Sequence, residues 1–294
     1  MWGKLFRWGV FLGLIGAACY WVVTRPTTLD LEQIAALAGD AEAGQIVFIA
    51  AGCASCHARE SISGDEKLVL AGGQRFPSDF GTFVAPNISM DPDHGIGSWN
   101  QSDFLNAVVK GVSPTGKHYF PAFPYTSYNK MTLQDGAHLW AYMQTLSKSG
   151  APSQPHEIAF PFSIRRNLGG WKFLFLSQDW VAAAPTPTLE RGRYLVEALG
   201  HCAECHTPRN ALGALDTARW MQGAPDPSGK GRVPGITPAI LGWVEADIIE
   251  YLFSGFTPEF DTAGGHMANV IENTAQLPKE DREAIAAYLL ALPN

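Results

Sequence analysis

Four of the five cysteines in this 294-residue chain fall in two copies of one pattern. Cys53-Ala54-Ser55-Cys56-His57 and Cys202-Ala203-Glu204-Cys205-His206 both read C-x-x-C-H. That is the attachment signature of a c-type haem. Two thiols three positions apart can add to the two vinyl groups of one porphyrin. The adjacent histidine then lies under the ring with an imidazole nitrogen free for iron. A zinc knuckle or a redox dithiol shares C-x-x-C, but two copies that each end in His favour haem. The reading is two covalently attached haem c groups (iron). Cys53, Cys56, Cys202 and Cys205 hold them, and His57 and His206 are the metal ligands on one side.

The elements that must position these motifs occur twice. Glu42-Ala43-Gly44 enters the first motif as Glu190-Arg191-Gly192 enters the second. Pro86-Asn87-Ile88-Ser89 then matches Pro234-Gly235-Ile236-Thr237, and Gly97-Ser98-Trp99 before Asp103 matches Gly242-Trp243 before Asp247. Each copy closes on an amphipathic stretch ending Ala141-Tyr142-Met143 or Ala287-Tyr288-Leu289. The offsets are 149 for Cys53 to Cys202, 144 for Asp103 to Asp247 and 146 for Ala141 to Ala287. A repeat of that length means two copies of one domain rather than a solenoid. Helices are expected from about 40 into the first motif and over about 100–110, 132–146, 189–199, 243–254 and 278–291. Gly111 and Gly255 are the expected C-terminal caps, and Thr132 with Asp135 forms a capping box. No run of alternating strand residues stands out. The expected fold is mostly α, and the order of elements resembles two tandem class I cytochrome c domains. Residues 40–147 and 189–294 are the domains, 148–188 the linker and 1–25 an N-terminal membrane anchor or signal.

Lys4 and Arg7 precede an apolar run from Trp8 to Val23. As a helix it spans roughly 24 Å, slightly short of a ~30 Å hydrocarbon core, and Leu5-Phe6 extend it. No small-x-small cleavage site follows, so an uncleaved transmembrane helix with a cytoplasmic N-terminus is favoured over a cleaved signal. The net charge is −7, and residues 1–25 contribute three basic side chains and no acid. The remainder is acidic, which argues against nucleic acid as a partner. The linker is aromatic and basic, with Phe160, Phe162, Arg165, Arg166, Trp171, Lys172 and Phe173. It is read either as a connection packed between the haem domains or as a docking segment for a partner or membrane.

Pro86-Asn87-Ile88, Asp91-Pro92-Asp93, Gly95-Ile96-Gly97-Ser98-Trp99 and Tyr119-Phe120-Pro121-Ala122-Phe123-Pro124-Tyr125 resemble the cytochrome c subunits of bacterial periplasmic membrane-bound dehydrogenases of the alcohol and gluconate type. The resemblance covers both haem domains, although those subunits usually carry three. It implies single-electron relay from a periplasmic dehydrogenase or quinol-side donor to another cytochrome or a terminal oxidase. It also implies location at the bacterial inner membrane, with the haem domains in the periplasm.

A relay haem usually has a second protein ligand, and His plus Met raises its potential. Met267, twelve residues after Gly255, fits in the second domain, with His266 as competitor. The same spacing from Gly111 reaches Phe123, where the related subunits commonly have Met. Met131, His118 and Met90 are the substitutes, and the resemblance favours Met131. With none of them, the first haem is open. The rivals to the relay are therefore a peroxidase-like dihaem enzyme or a haem sensor. Arg209 is a candidate partner for a haem propionate. Trp99 and Trp243 are read as core.

Overall fold

The computed structural model describes residues 2–226 and 231–293. α1 (Trp2–Val23) buries none of its side chains, and a short α2 (Leu31–Ala35) follows it. α3 (Ala41–Ala50) starts where the Asp40 carboxylate accepts the Ala43 N–H, and α4 (Cys53–His57) carries the first motif. α5 (Gln101–Leu105) has a full Asn100/Asp103 capping box and runs on as a π-turn over Asn106–Lys110. α6 (Tyr125–Tyr128) and α7 (Leu133–Met143) complete the first half. After α8 (Asn167–Phe175) the order returns. α9 (Pro187–Arg193) runs on as a π-turn over Tyr194–Leu199, and α10 (Ala203–His206) carries the second motif. α11 (Pro238–Leu241), α12 (Glu245–Ser254), α13 (Gly265–Thr274) and α14 (Lys279–Leu290) close the chain.

In each half the opening and closing helices cross at a glycine. A Cβ on Gly44 would lie 2.0 Å from the His138 carbonyl oxygen and 2.9 Å from the Tyr142 Cβ. A Cβ on Gly192 would lie 2.0 Å from the Ala284 oxygen and 2.7 Å from the Tyr288 Cβ. Backbone therefore touches backbone, and α3 on α7 repeats as α9 on α14. Phe48, Leu139 and Trp140 around the first crossing, with Leu195, Tyr288 and Leu289 around the second, belong to one buried cluster. Each such side chain contributes about 1.5–3 kcal/mol by leaving water.

The irregular backbone repeats as closely as the helices. Leu70 and Met221 take φ of 52° and 58°, and their carbonyls accept from Ile88 at 3.1 Å and Ile236 at 2.8 Å. Gly111 and Gly255 end their helices at φ of 59° and 80°. The bridge between Val112 and His118 recurs between Phe256 and Thr262. Tyr119 N–H donates to Gly111 O at 2.8 Å, as Ala263 N–H does to Gly255 O at 2.9 Å.

Three features differ from the sequence expectation. The first is a small antiparallel sheet: β1 (Arg75–Ser78) pairs with β2 (Gly81–Val84), and β3 (Glu157–Ile158) adds to β2. The second half carries a matching pair, β4 (Ala224–Pro225) and β5 (Arg232–Val233). These strands are too short to show alternation. The second difference is the pair of helices α8 and α13. α8 contains Gly169 and Gly170, which disfavour helix, and it forms by docking against the foot of α1. α13 has no side-chain N-cap. The third concerns the Thr132 capping box, which is only half made. Thr132 accepts from the Asp135 N–H, but the Asp135 carboxylate accepts from the Tyr194 hydroxyl of the other half. That hydroxyl in turn accepts the Thr132 N–H at 3.2 Å.

Gly192→Val is expected to destabilise by about 1–3 kcal/mol, because the crossing cannot open without breaking backbone contacts. The measurement is a lowered thermal midpoint by far-ultraviolet circular dichroism. An unchanged midpoint would show that the crossing yields.

Candidate cofactor sites

Each motif begins where a positive φ turns the chain out of the opening helix: Gly52 at 63° and, in the equivalent place, His201 at 40°. α4 and α10 then place both cysteines and the histidine within two short turns. His57 Nδ1 donates to Pro86 O at 2.8 Å, and His206 Nδ1 donates to Pro234 O at 2.7 Å. A carbonyl only accepts, so Nδ1 carries the proton and Nε2 presents its lone pair. Burial lowers the pKa of both imidazoles, with the carbonyl bonds acting weakly the other way. Both rings are neutral bases at neutral pH. Each histidine is also held through its own backbone carbonyl: the N–H groups of Gly72 and Gly223 donate to the His57 and His206 oxygens at 2.7 Å. A Cβ on Gly72, at φ 71°, would lie 2.5 Å from Pro86 O.

Burial pushes the Cys53 and Cys202 thiols up to about 12, with repulsion from Cys56 and Cys205 adding to it. They are neutral thiols, unlike the acidic thiols of redox dithiols. Among the described residues no group of three or more His, Cys, Asp or Glu could hold a bare metal ion. Trp220 Nε1 and Tyr125 OH are buried without a partner. The loop bearing Trp220 packs beside the second motif, because Met221 N–H donates to Thr207 Oγ1 at 3.0 Å. Paired cysteines beside imidazoles with a free Nε2, and orphaned buried donors nearby, suit a covalently held porphyrin better than a metal ion alone.

The two motifs also abut. Burial and then repulsion from Cys205 raise the Cys56 thiol to about 11. Tyr128 OH donates to Ala51 O at 2.8 Å, and its ring lies 5.6 Å from that of His201. Asn273 Nδ2 reaches back to Ser55 Oγ at 2.8 Å. Glu204, inside the second motif, accepts from Thr126 Oγ1 at 2.5 Å and Ser127 Oγ at 3.4 Å, and pairs with Arg209. Burial opposes that carboxylate's charge, but Arg209 and the Thr126 bond outweigh it and keep the pKa below the usual range. The sequence reading passed over this latch. Its only signal was an acid between two haem-motif cysteines with Arg five residues on.

The side chains considered for the far side of iron separate clearly. Met267 sits in the first turn of α13, partly buried against the core, whereas His266 is exposed with its ring 5.9 Å from that of Phe76. Phe123 stands where the matched Gly111 and Gly255 bonds place the counterpart of Met267. It lies among Tyr119, Tyr125 and Tyr128 at 5.8–6.3 Å between ring centroids. Met131 is 4% exposed, in the position before the α7 cap that Leu277, 5% exposed, fills before α14. Met90 is partly buried against the same core. His118 is committed elsewhere, since its Nε2 donates to Thr24 O at 2.9 Å. Arg209 is not a free propionate partner: its guanidinium binds Glu204 and the Gly213 carbonyl. Trp99 and Trp243 pack on the core, and the Trp243 ring lies 5.1 Å from that of Tyr251.

Paired helices crossing at glycine, each followed by C-x-x-C-H and a proline carbonyl on the histidine, define a c-type cytochrome. The comparisons agree. The cytochrome c family profile matches residues 41–147. A diheme cytochrome c-type of Cereibacter sphaeroides is 55% identical over 287 residues, covering 97% of both chains. The fructose dehydrogenase cytochrome subunit of Gluconobacter japonicus is 38% identical over 268 residues, 85% of this chain and 52% of that one. The gluconate 2-dehydrogenase cytochrome c subunit of Pantoea cypripedii is 34% identical over 285 residues, 90% and 63% respectively. The chain belongs to the diheme c-type cytochrome family and is homologous to cytochrome subunits of these dehydrogenases. It spans between half and two thirds of the two dehydrogenase subunits' length.

Glu204→Ala leaves Thr126 and Arg209 without their acceptor. It is expected to cost about 1–3 kcal/mol and to loosen the contact between halves. Hydrogen exchange should show faster amides in α6 and α10 with little change in α14. Equal exchange in α6 and α10 would deny Glu204 the latch role.

Proposed function

We propose that the chain is a membrane-anchored dihaem cytochrome c, built of two tandem class I domains over residues 40–147 and 189–294. It relays single electrons on the periplasmic face of the inner membrane, from a periplasmic dehydrogenase or quinol-side donor to a respiratory acceptor. The observation that carries the reading is the pair of imidazoles, each fixed through Nδ1 by a proline carbonyl, in two motifs whose surroundings touch through Tyr128, Glu204 and Asn273. In such a protein haem c supplies a one-electron iron couple. Cys53, Cys56, Cys202 and Cys205 would hold the two porphyrins, with His57 and His206 as proximal ligands. Pro86 and Pro234 set each imidazole's tautomer and orientation, and a carbonyl on Nδ1–H also makes Nε2 a stronger base toward iron. The contact between motifs keeps the two sites at one separation. The homology to dehydrogenase cytochrome subunits supports a dehydrogenase as donor.

Met267 completes the second site in this reading, and its inward placement beside an outward His266 supports the choice. For the first site the proposal is Met131. The turn that carries it brings Tyr128 against the Ala51 carbonyl, next to Cys53. One observation favours a second reading: Phe123, a side chain without a donor atom, stands at the counterpart of Met267. An open first haem would make the chain a peroxidase-like enzyme or a sensor.

α1 supports the anchor. It is the one described helix long and apolar enough to cross a membrane, 22 residues or about 33 Å. Its foot is tied into the fold, which favours anchor over cleaved signal: Thr24 is 2% exposed, and Arg166 Nε donates to its hydroxyl at 2.7 Å.

Haem analysis of the purified protein is expected to give two haem c per chain, and spectra two low-spin irons. Met267→Leu and Met131→Leu should each convert a different iron to high spin. A high-spin, carbon monoxide-binding iron in the unmodified protein would overturn the relay in favour of the open-haem reading. If only Met131→Leu is silent, Met131 is core.

A further inference from the structure

Arg166, Asn167 and Gly169 dock the linker helix α8 and the turn before it to Tyr20, Trp21 and Thr24 at the foot of α1. Tyr20 OH donates to Asn167 Oδ1 at 2.8 Å. Arg166 donates to Trp21 O at 2.6 Å and lies 4.2 Å over the Trp21 ring. Gly169 admits no Cβ, which would lie 2.4 Å from Thr24 O. Two strips of α8 begin at that contact. One runs Arg166–Gly170–Phe173 from Trp21, and the other runs Asn167–Trp171–Leu174 from Tyr20. Both end in exposed apolar side chains, Phe173 at 72% and Leu174 at 65%.

The apolar surface continues away from α8. Trp171 Nε1 donates to Leu212 O at 2.8 Å, and the Leu212 side chain is exposed. Gly213 meets Phe80 at the tip of the β1–β2 hairpin, and the Phe80 ring lies 5.0 Å from that of Phe162. Phe160, in the same turn, is 79% exposed.

The basic residues of this segment face inward, as in a packed connection, and leave its aromatic side chains outside. Arg165 Nη1 donates to His118 O at 2.9 Å and lies 4.4 Å over the Phe120 ring. Lys172 donates to Lys110 O at 2.5 Å and Gly111 O at 2.8 Å. Residues 158–178 contain no Asp or Glu in a chain of net charge −7. The linker part of this surface thus combines several large apolar side chains with almost no outward charge, Asp79 being exposed beside Phe80 at the hairpin tip, and it is continuous with an apolar helix that buries nothing in the protein. Patches of this kind mark contact surfaces, and aromatic residues on an interfacial helix seat at the headgroup–acyl boundary.

We propose that Phe160, Phe162, Phe173, Leu174, Phe80 and Leu212 form a second membrane contact, seated in the outer boundary of the bilayer that α1 crosses. One helix alone is a swivel. A platform drawn from the linker, the first-half hairpin and a second-half loop fixes how both cofactor sites face the membrane. The proposal rests on α1 being an uncleaved anchor.

The test uses full-length protein in phosphatidylcholine nanodiscs, with Cys19→Ser as background and a nitroxide on one added cysteine. Leu174→Cys is the probe, Glu283→Cys on α14 the aqueous control and Leu12→Cys the bilayer control. Collisions with oxygen, which partitions into lipid, are compared with those of a water-soluble nickel chelate. The expected result is a several-fold oxygen preference at 174 and at 12, and the reverse at 283. Nickel preference at 174 with oxygen preference at 12 would overturn the platform and leave the patch to a protein partner. Dipolar broadening at 174 would overturn it in favour of a second copy. Nickel preference at 12 would instead show that the anchor reading has failed.

Discussion

Two proline carbonyls, Pro86 O and Pro234 O, carry the constraint on which the cofactor sites depend. Each accepts the Nδ1 proton of a motif histidine. That one bond settles three things together: which nitrogen is protonated, which way the ring faces, and that Nε2 stays a free base. The surrounding loop exists to place the carbonyl. Gly72 and Gly223 adopt a left-handed conformation so that their N–H groups can close on the histidine's own carbonyl. Leu70 and Met221 strain in the same way, in a conformation that costs a non-glycine residue about 1–3 kcal/mol. The same strain at the same place in both halves indicates that it is part of how the site is built.

The halves share this frame but not its completion. Equivalent backbone bonds bring Met267 and Phe123 to equivalent places, one with a sulfur donor and one without. The difference is chemical rather than architectural: a donor atom is present at one place and absent at the other, within the same fold. The contact between halves is likewise asymmetric. Glu204, Tyr194 and His201 of the second half meet Thr126, Asp135 and Tyr128 of the first. These polar bonds sit beside the motifs, where the distance between cofactors would be set.

At the other end of the molecule the linker binds the anchor helix. Arg166, Asn167 and Gly169 seat Tyr20, Trp21 and Thr24, and His118 reaches the same Thr24 carbonyl from the first half. Movement at the foot of α1 would therefore be felt by the body, because the joint is packed rather than hinged.

The sequence by itself carried the c-type haem motifs, the internal repeat and most helices. Each of these rests on local pattern: C-x-x-C-H, the Gly111 and Gly255 caps, and apolar periodicity at helical spacing. The glycines at the crossings stood in the repeat, though nothing local said that their hydrogens would face a carbonyl at van der Waals contact. Only the tertiary structure decided the proline carbonyl bonds, the Glu204–Arg209–Thr126 latch, the commitment of His118 to Thr24 and the inward turn of Arg165, Arg166 and Lys172. All of these join residues tens of positions apart or choose among partners for one charged group. α8 and the short sheet belong with them, since their local propensities are weak and long-range docking supplies the stability. Residue type and spacing specify what a segment can do. Which of its partners it meets depends on packing between distant segments, which no local pattern encodes.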